Sequence, residues 1–250
     1  MSTTSPRRGR KVQQTKKNAS SMRVFYFVIG IVALAGIAAA VTFLTSRDPA
    51  TAGVDGIEGI QPFEVPYETG ITEDGFHFKG AADAPVTIVE YADYQCPACA
   101  NFATSSLAET INAQYIANGQ VRLILHDFPL PMHPNAPTAS QAAYCAGDQN
   151  QYWQMHDWIY RTQDRWSGLS QQGASSHFAR IAASLGIDTD TFSACLADGN
   201  GQYRQHVGQA YQAAQTAGVP ATPTFVVNGQ MVPTAQLARP SMPHLPTASK

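Results

Sequence analysis

The stretch Tyr94-Gln95-Cys96-Pro97-Ala98-Cys99 decides the fold of this 250-residue chain. An apolar, β-branched run, Val86-Thr87-Ile88-Val89-Glu90-Tyr91, precedes it and predicts a buried strand. Residues 100–118 follow with apolar side chains at roughly helical spacing, which predicts a helix. The two cysteines therefore lie at a strand-to-helix turn, with Cys96 at or near the N-terminus of the helix.

This position favours thiolate chemistry at Cys96. A helix N-terminus presents unpaired backbone N–H groups and the positive end of the helix dipole, and both stabilise an anion. We therefore expect the pKa of Cys96 to lie below the ordinary value of about 8.5. Cys99, one turn further in, is expected to be more buried and less acidic. Such a pair can attack a disulfide through one sulfur and resolve the mixed disulfide through the other.

A zinc site is the alternative use of the two cysteines. Structural zinc needs four ligands, often two CxxC pairs or one CxxC with paired histidines. The remaining cysteines, Cys145 and Cys195, stand alone and far away, and the histidines show no HxxxH spacing. The sequence therefore favours redox chemistry, and we expect no bound metal.

The N-terminal region differs from the rest of the chain in charge. Seven of the 16 lysines and arginines lie in residues 1–23, which hold no acid, so residues 24–250 carry nine basic against 18 acidic residues. Residues 24–44 are 21 residues without a charge, which as a helix would span about 32 Å. The basic flank predicts a transmembrane helix with a cytoplasmic N-terminus. A cleaved signal peptide ending near Ala38-Ala39-Ala40 is the alternative, and either one exports the remainder.

The rest of the chain predicts an α/β fold with a helical insertion. Residues 121–128 predict a second buried strand, and Thr224-Phe225-Val226-Val227 predicts a third, joined by Asn228-Gly229 to a hairpin partner. Residues 135–217 between them show only helical patterns, at 136–148, 151–161, 176–185, 190–196 and 202–217. The predicted organisation is a cytoplasmic tail (1–23), a transmembrane helix (24–44), a linker (45–72), the α/β domain (73–232, with the insertion at 135–217) and a C-terminal tail (233–250).

Several motifs in this order resemble the DsbA-like thioredoxin-fold thiol–disulfide oxidoreductases. The resemblance covers about residues 75–232. It rests on Val89-Glu90-Tyr91-Ala92-Asp93-Tyr94-Gln95-Cys96-Pro97-Ala98-Cys99, on residues 126–136, on Ala142-Ala143-Tyr144-Cys145-Ala146, on Trp153 with Met155-His156-Asp157, and on Gly218-Val219-Pro220-Ala221-Thr222-Pro223-Thr224-Phe225.

The resemblance implies roles for individual residues. It makes Cys96 the nucleophile and Cys99 the resolving cysteine. It makes Thr222–Pro223 a cis peptide bond packed against the cysteines, where Thr222 backbone groups would pair with an extended substrate peptide. Thr222, Pro223, Pro97 and Ala98 are therefore the expected substrate-binding residues.

Glu90 matches the buried acid of that family, which could pass a proton to or from Cys99. The alternative is an acid that reaches solvent from a strand end. Asp93 could share the proton-transfer role or could simply stabilise the turn.

Two regions complete the prediction. In an exported domain, Cys145 and Cys195 are best interpreted as a structural disulfide, with two free buried thiols or a second redox pair as alternatives.

The C-terminal tail departs from the family pattern. The family usually closes its sheet with a helix after the hairpin. Residues 233–250 instead contain four prolines, so we expect at most one helical turn near Thr234.

The predicted function is an extracytoplasmic oxidase that donates the Cys96–Cys99 disulfide to exported cysteine-containing proteins. The family implies reoxidation by a quinone-linked membrane partner, DsbB-like or vitamin-K-epoxide-reductase-like. We expect a monomer without a bound cofactor or nucleic acid. A reductase or isomerase of the same fold is the first alternative, and a non-catalytic, membrane-anchored metal-binding or chaperone module is the second.

Overall fold

The computed structural model describes residues 29, 56–198 and 201–237. The chain divides into two units, residues 1–49 and 50–250. Of the first unit only Ile29 is described, as a half-exposed helical residue, so the predicted transmembrane segment 24–44 otherwise lies outside the described residues. Among the residues that are described, we find no helix with the length and apolar character needed to cross a membrane.

The second unit is built on a six-stranded sheet with the order β1-β2-β4-β3-β5-β6. Strands β3 and β4 are parallel, and every other neighbouring pair is antiparallel. The central strands are apolar and buried because helices cover the sheet. The strands are β1 (Thr69–Ile71), β2 (His77–Lys79), β3 (Val86–Ala92), β4 (Val121–Asp127), β5 (Thr224–Val227) and β6 (Gln230–Val232).

The helices follow the order that the sequence predicts, with most of them between β4 and β5. They are α1 (Pro97–Ala103), α2 (Ser106–Ile111) with its π-helical continuation (Asn112–Ile116), α3 (Ala136–Gly147), α4 (Tyr152–Arg161), α5 (Gln163–Trp166), α6 (Gln171–Ser184), α7 (Thr189–Ala197), α8 (Gln202–Thr216) and α9 (Thr234–Leu237). We call α3–α8 the helical block.

The predicted helix over residues 100–118 is broken in two. Ser105 has an extended backbone (φ −83°, ψ 156°), and its hydroxyl accepts a hydrogen bond from the Ala108 N–H, so it caps a new helix. Helix α6 likewise begins five residues earlier than predicted because the Ser170 hydroxyl accepts from the Gly173 N–H. The second part of the broken helix ends before Gly119, whose φ of +77° suits glycine.

The predicted linker 45–72 contains ordered structure. It holds β1, which pairs with β2; the Phe76-His77-Phe78 alternation suggests a short edge strand, but β2 pairs with β4 as well and is an inner strand. Further upstream, Ile60 is buried in the core, and the backbone N–H of Ile57 donates to the Ser184 hydroxyl at 2.7 Å. The part of the chain from Ile57 onward is therefore packed into the domain.

The hairpin and the single C-terminal turn form where the sequence predicts them. Asn228 and Gly229 have positive φ angles of 46° and 84°, as a tight two-residue hairpin loop requires. Beyond β6, α9 lasts four residues, and its Leu237 is buried. Residues 238–250 lie outside the described residues.

Candidate active site

Cys96 occupies the N-cap of α1, at the turn that follows β3. Its backbone is extended (φ −74°, ψ 121°), and its carbonyl accepts from the Ala100 N–H at 3.1 Å. Pro97 fills the first helical position, where a missing N–H costs nothing. No side chain caps this helix, so the N–H groups of its first turn face the Cys96 sulfur position without competition from a side-chain oxygen.

The turn before Cys96 is fixed by Asp93. One carboxylate oxygen of Asp93 accepts from the Gln95 N–H at 2.7 Å. The other accepts from the Leu130 N–H at 2.7 Å and lies 2.7 Å from His133 Nδ1. Asp93 is buried and joins the cysteine turn to the loop after β4. These contacts give it the turn-stabilising position that the sequence offered as one of its two possible roles.

Two glutamines that the sequence does not single out tie the cysteine turn to the helical block. The Gln95 side chain donates to the Ser167 carbonyl at 2.8 Å and accepts from the Asn135 N–H at 2.8 Å. The Gln163 side chain donates to the carbonyls of Tyr94 (2.7 Å) and Cys96 (3.1 Å). Neither the turn position of Gln95 nor the helical position of Gln163 signals such a contact, because the contact depends on tertiary structure.

The Thr222–Pro223 peptide bond is cis and lies against the cysteines. The Cys96 sulfur lies 3.4 Å from the Thr222 carbonyl oxygen, to which it donates when it is protonated. Pro97 and Ala98 are exposed beside this contact, whereas Cys96 is buried and Cys99 fully so. The structure therefore brings the predicted nucleophile and the predicted substrate-binding residues together.

The two thiols differ in acidity. The pKa of Cys96 is lowered to about 5, chiefly by a hydrogen bond from the Cys99 thiol; burial opposes this, and the backbone N–H groups of Ala98 and Cys99 assist. The pKa of Cys99 is raised far above its ordinary range by burial and by its hydrogen bond to Cys96. At neutral pH the reduced pair therefore holds a thiolate at Cys96 and a thiol at Cys99.

Glu90 lies on β3 and is 3% exposed, so the alternative of an acid that reaches solvent is wrong. Burial raises its pKa to about 7, while the positive charge of Lys79 opposes that rise. Glu90 and Cys99 influence each other electrostatically. The sequence pattern does not reveal Lys79, which faces Glu90 from β2.

The other two cysteines form a disulfide within the helical block. Cys145 of α3 and Cys195 of α7 are bonded, with Cα atoms 5.8 Å apart, while Cys96 and Cys99 are free thiols. The described ranges contain no cluster of three or more histidine, cysteine or acidic side chains arranged to hold a metal ion.

The comparisons with known proteins agree with this geometry. Residues 72–239 match the family described as Thioredoxin. Among solved structures, the thiol–disulfide oxidoreductase MdbA of Corynebacterium diphtheriae is 22% identical, with a TM-score of 0.56 over 68% of this chain and 90% of that one. BdbD of Bacillus subtilis is also 22% identical, with a TM-score of 0.54 over 72% of this chain and 88% of that one. At this identity the two structures support the fold.

One relative of this chain is named as an ion antiporter and not as a thioredoxin. A protein named Na(+)/H(+) antiporter NhaA 3, from Salinispora tropica, is 36% identical over 174 residues. The match covers 69% of this chain but only 24% of that protein. This chain thus spans about a quarter of the length of the curated relatives it matches, and we carry nothing of ion transport over from their names.

The family match covers most of the chain and includes the cysteine turn, the helical block and the hairpin. The predicted thioredoxin-like fold with a helical insertion is confirmed. The free Cys96–Cys99 pair is what the predicted enzyme class, a thiol–disulfide oxidoreductase, requires. The chain belongs to the thioredoxin family and has its DsbA-like form.

Proposed function

We propose that this chain is an oxidase that donates the Cys96–Cys99 disulfide to exported proteins. The observation that carries the proposal is the environment of Cys96, at an uncapped helix N-terminus with a pKa lowered to about 5. A stabilised thiolate favours the reduced form of the pair, so the disulfide form is a strong oxidant. The cysteine environment therefore favours electron flow from the substrate to the enzyme.

The reaction transfers two electrons. A substrate thiolate attacks the Cys96 sulfur, the Cys96–Cys99 bond breaks, and Cys99 leaves as a thiolate that takes a proton. Glu90, whose pKa of about 7 keeps it partly protonated at neutral pH, supplies that proton. A second substrate thiolate then attacks the mixed disulfide, the substrate disulfide forms, and Cys96 leaves as a stable thiolate.

Substrates are held through their main chain in this proposal. The backbone of Thr222 lies beside the Cys96 sulfur, and an extended peptide could pair with it by strand addition. Such pairing reads the backbone and not the side chains, which suits an enzyme that serves many exported proteins. The exposed Pro97 and Ala98 form the adjoining contact surface. A quinone-linked membrane protein, DsbB-like or vitamin-K-epoxide-reductase-like, would reoxidise the pair.

The redox equilibrium of the purified chain against glutathione buffers tests the oxidase proposal. We expect the Cys96–Cys99 pair to have a reduction potential of about −120 mV, as strong disulfide donors have. A value of about −270 mV would contradict the proposal and favour the reductase alternative.

The stability of the reduced form should depend on pH. Because the pKa of Cys96 is lowered, its thiolate stabilises the reduced form fully above about pH 8.5, and this stabilisation is lost as the pH falls towards 5. Alkylation of Cys96 by iodoacetamide should accordingly have its midpoint near pH 5.

We further propose that the chain is anchored in the cell membrane with its catalytic domain outside. The support is the uncharged segment 24–44 and the basic residues before it. Single cysteines in a Cys96→Ser/Cys99→Ser background test this in intact cells with a membrane-impermeant maleimide. We expect labelling of Ser176→Cys, an exposed position of α6, and none of Ser5→Cys. Labelling of Ser5→Cys would contradict the proposed topology.

A further inference from the structure

A small cavity lies next to Glu90, on the side of the sheet that faces α1, α2 and α4. It measures about 20 Å³, which is room for about one water molecule. Its polar lining residues are Lys79, Glu90, Asn112, His156 and Asp157. One carboxylate oxygen of Glu90, Oε1, has no hydrogen-bond partner among the described residues. A buried carboxylate thus faces a space that a polar partner can occupy.

Lys79 is the cation that faces this cavity from β2. It is 6% exposed, and its ammonium lies 4.6 Å from the centre of the Trp153 ring. Within the described ranges no carboxylate oxygen lies within 4 Å of it. Burial lowers the pKa of Lys79, while the negative charges of Asp157 and Glu90 act to raise it. The charge of Lys79 therefore depends on these two acids.

Asp157 lies at the outer side of the cavity. It comes from α4, its side chain is 28% exposed, and one oxygen lies 2.8 Å from His156 Nδ1. Burial acts to raise the pKa of Asp157, but the hydrogen bond from His156 and the positive charges of Lys79 and Arg161 act against it, and the pKa lies below its ordinary value. Asp157 is thus a negative charge at neutral pH that connects the cavity with solvent.

From this arrangement we propose that Asp157 is a positioning residue for proton transfer at Cys99: it keeps Lys79 charged, and Lys79 in turn makes Glu90 give up its proton. The inference deepens the proposed function and rests on it. A water molecule in the cavity would bridge Glu90, Lys79 and Asp157 and provide the way to solvent. The helical block would thereby contribute directly to the chemistry of the thioredoxin core.

The tyrosines, histidine and thiol around Glu90 are neutral, so Lys79 is the positive charge that acts on it. Tyr152 and Tyr160 interact with Glu90 electrostatically, but burial raises the pKa of both phenols well above the ordinary value, so they stay neutral. Burial also lowers the pKa of His156, which favours its neutral form. Cys99 is a neutral thiol except during exchange.

The proton balance of the step is simple. When the Cys99 thiol attacks a mixed disulfide at Cys96, which is the reverse of the first step of disulfide donation, its proton passes to the Glu90 carboxylate. The Cys99 sulfur forms the bond to Cys96, and the bound thiol leaves as a thiolate. Glu90 then passes the proton through the cavity to solvent on the side of Asp157. The rate of resolution should therefore increase with the fraction of ionised Glu90.

The test follows this resolution step with the Cys96–glutathione mixed disulfide of the full chain between pH 5 and 9. For the unmodified chain, we expect the rate to rise with a midpoint near pH 7. Asp157→Asn should move the midpoint upward by about one pH unit, which slows the reaction about fivefold at pH 7. Asp157→Glu should restore the original midpoint, and Asp83→Asn, which removes an exposed acid elsewhere, should leave it unchanged.

A second comparison shows whether Asp157 acts through Lys79. Lys79→Met should move the midpoint at least as far as Asp157→Asn does. The double variant should then match Lys79→Met alone, because Asp157 has no further cation to hold. An Asp157→Asn profile that coincides with the original, or shifts that add in the double variant, would overturn the inference.

Glu90→Gln separates this inference from the proposed function. It should remove the midpoint near pH 7 altogether. If that midpoint persists in Glu90→Gln, the proposed proton transfer by Glu90 fails. If the midpoint disappears there but Asp157→Asn leaves the profile unchanged, the role of Glu90 stands and only the role of Asp157 fails.

Discussion

Replacing Cys96 with serine is expected to abolish disulfide donation, with a loss of at least about a thousandfold in rate. The serine hydroxyl cannot form a disulfide, and Cys99, the other free thiol, is fully buried. The measurement is the oxidation of a reduced, unfolded protein that contains two cysteines. Oxidation that survives in Cys96→Ser would contradict the oxidase proposal.

Cys99→Ser is the matched control for this experiment. It keeps Cys96 but removes its disulfide partner, so Cys99 can no longer release a protein that becomes disulfide-bonded to Cys96. We expect it to accumulate Cys96-linked substrates that appear on non-reducing gels and disappear on reduction. The pair of variants therefore distinguishes the attacking sulfur from the resolving one.

Removal of the Cys145–Cys195 disulfide is expected to lower the free energy of unfolding by about 4 kcal/mol. The bond closes a loop with a sequence separation of 50, and in the chain-entropy account a loop of this length restricts the unfolded chain by about that amount. The measurement is urea unfolding of Cys145→Ala/Cys195→Ala in a Cys96→Ala/Cys99→Ala background, which leaves no other cysteine.

The Cys96→Ala/Cys99→Ala variant, which keeps the other two cysteines, provides the control. With Cys145–Cys195 intact, it should lose the same stability when dithiothreitol is added, and the variant without the bond should not respond. A loss below about 1 kcal/mol would mean that the helical block is held by its core, through residues such as Phe178 and Phe192, and not by the disulfide.

The sequence predicts the strand, the cysteine turn and the hairpin well because each is a local pattern. The run from Val86 to Tyr91 is apolar and β-branched, and Asn228-Gly229 is a strong hairpin signal. The cis bond at Thr222–Pro223 has no local signal, and only the family resemblance pointed to it.

The charged surroundings of Glu90 could not be predicted in the same way. Lys79 comes from a three-residue strand and Asp157 from a helix of the insertion, and the fold alone brings both to one cavity. Gln95 and Gln163 are similar, because each is a polar side chain whose partners are backbone carbonyls or N–H groups distant in sequence. Periodicity indicates burial and secondary structure but not which polar groups meet.

For the described part of the predicted linker, from residue 56 on, the prediction is wrong for a related reason. Residues 57–71 lack helical or alternating periodicity, yet Ile57 and Ile60 pack against the core, and Gln154 donates to the Phe63 carbonyl at 3.2 Å. Single apolar residues in an irregular segment are too sparse to form a pattern. Their burial depends on the surface that the helical block presents to them.

The break in the helix at Ser105 affects the enzyme beyond local geometry. The end of α1, the start of α2 and the π-helical turn at Asn112 surround the cavity beside Glu90 on one side. A straight helix over the same residues would follow a single axis, whereas the bend lets the segment curve around this small cavity. Without that pocket, the carboxylate would be enclosed in dry protein and would hold its proton too tightly to act as a base. The irregular segment thus leaves room beside the acid through which a proton can be exchanged.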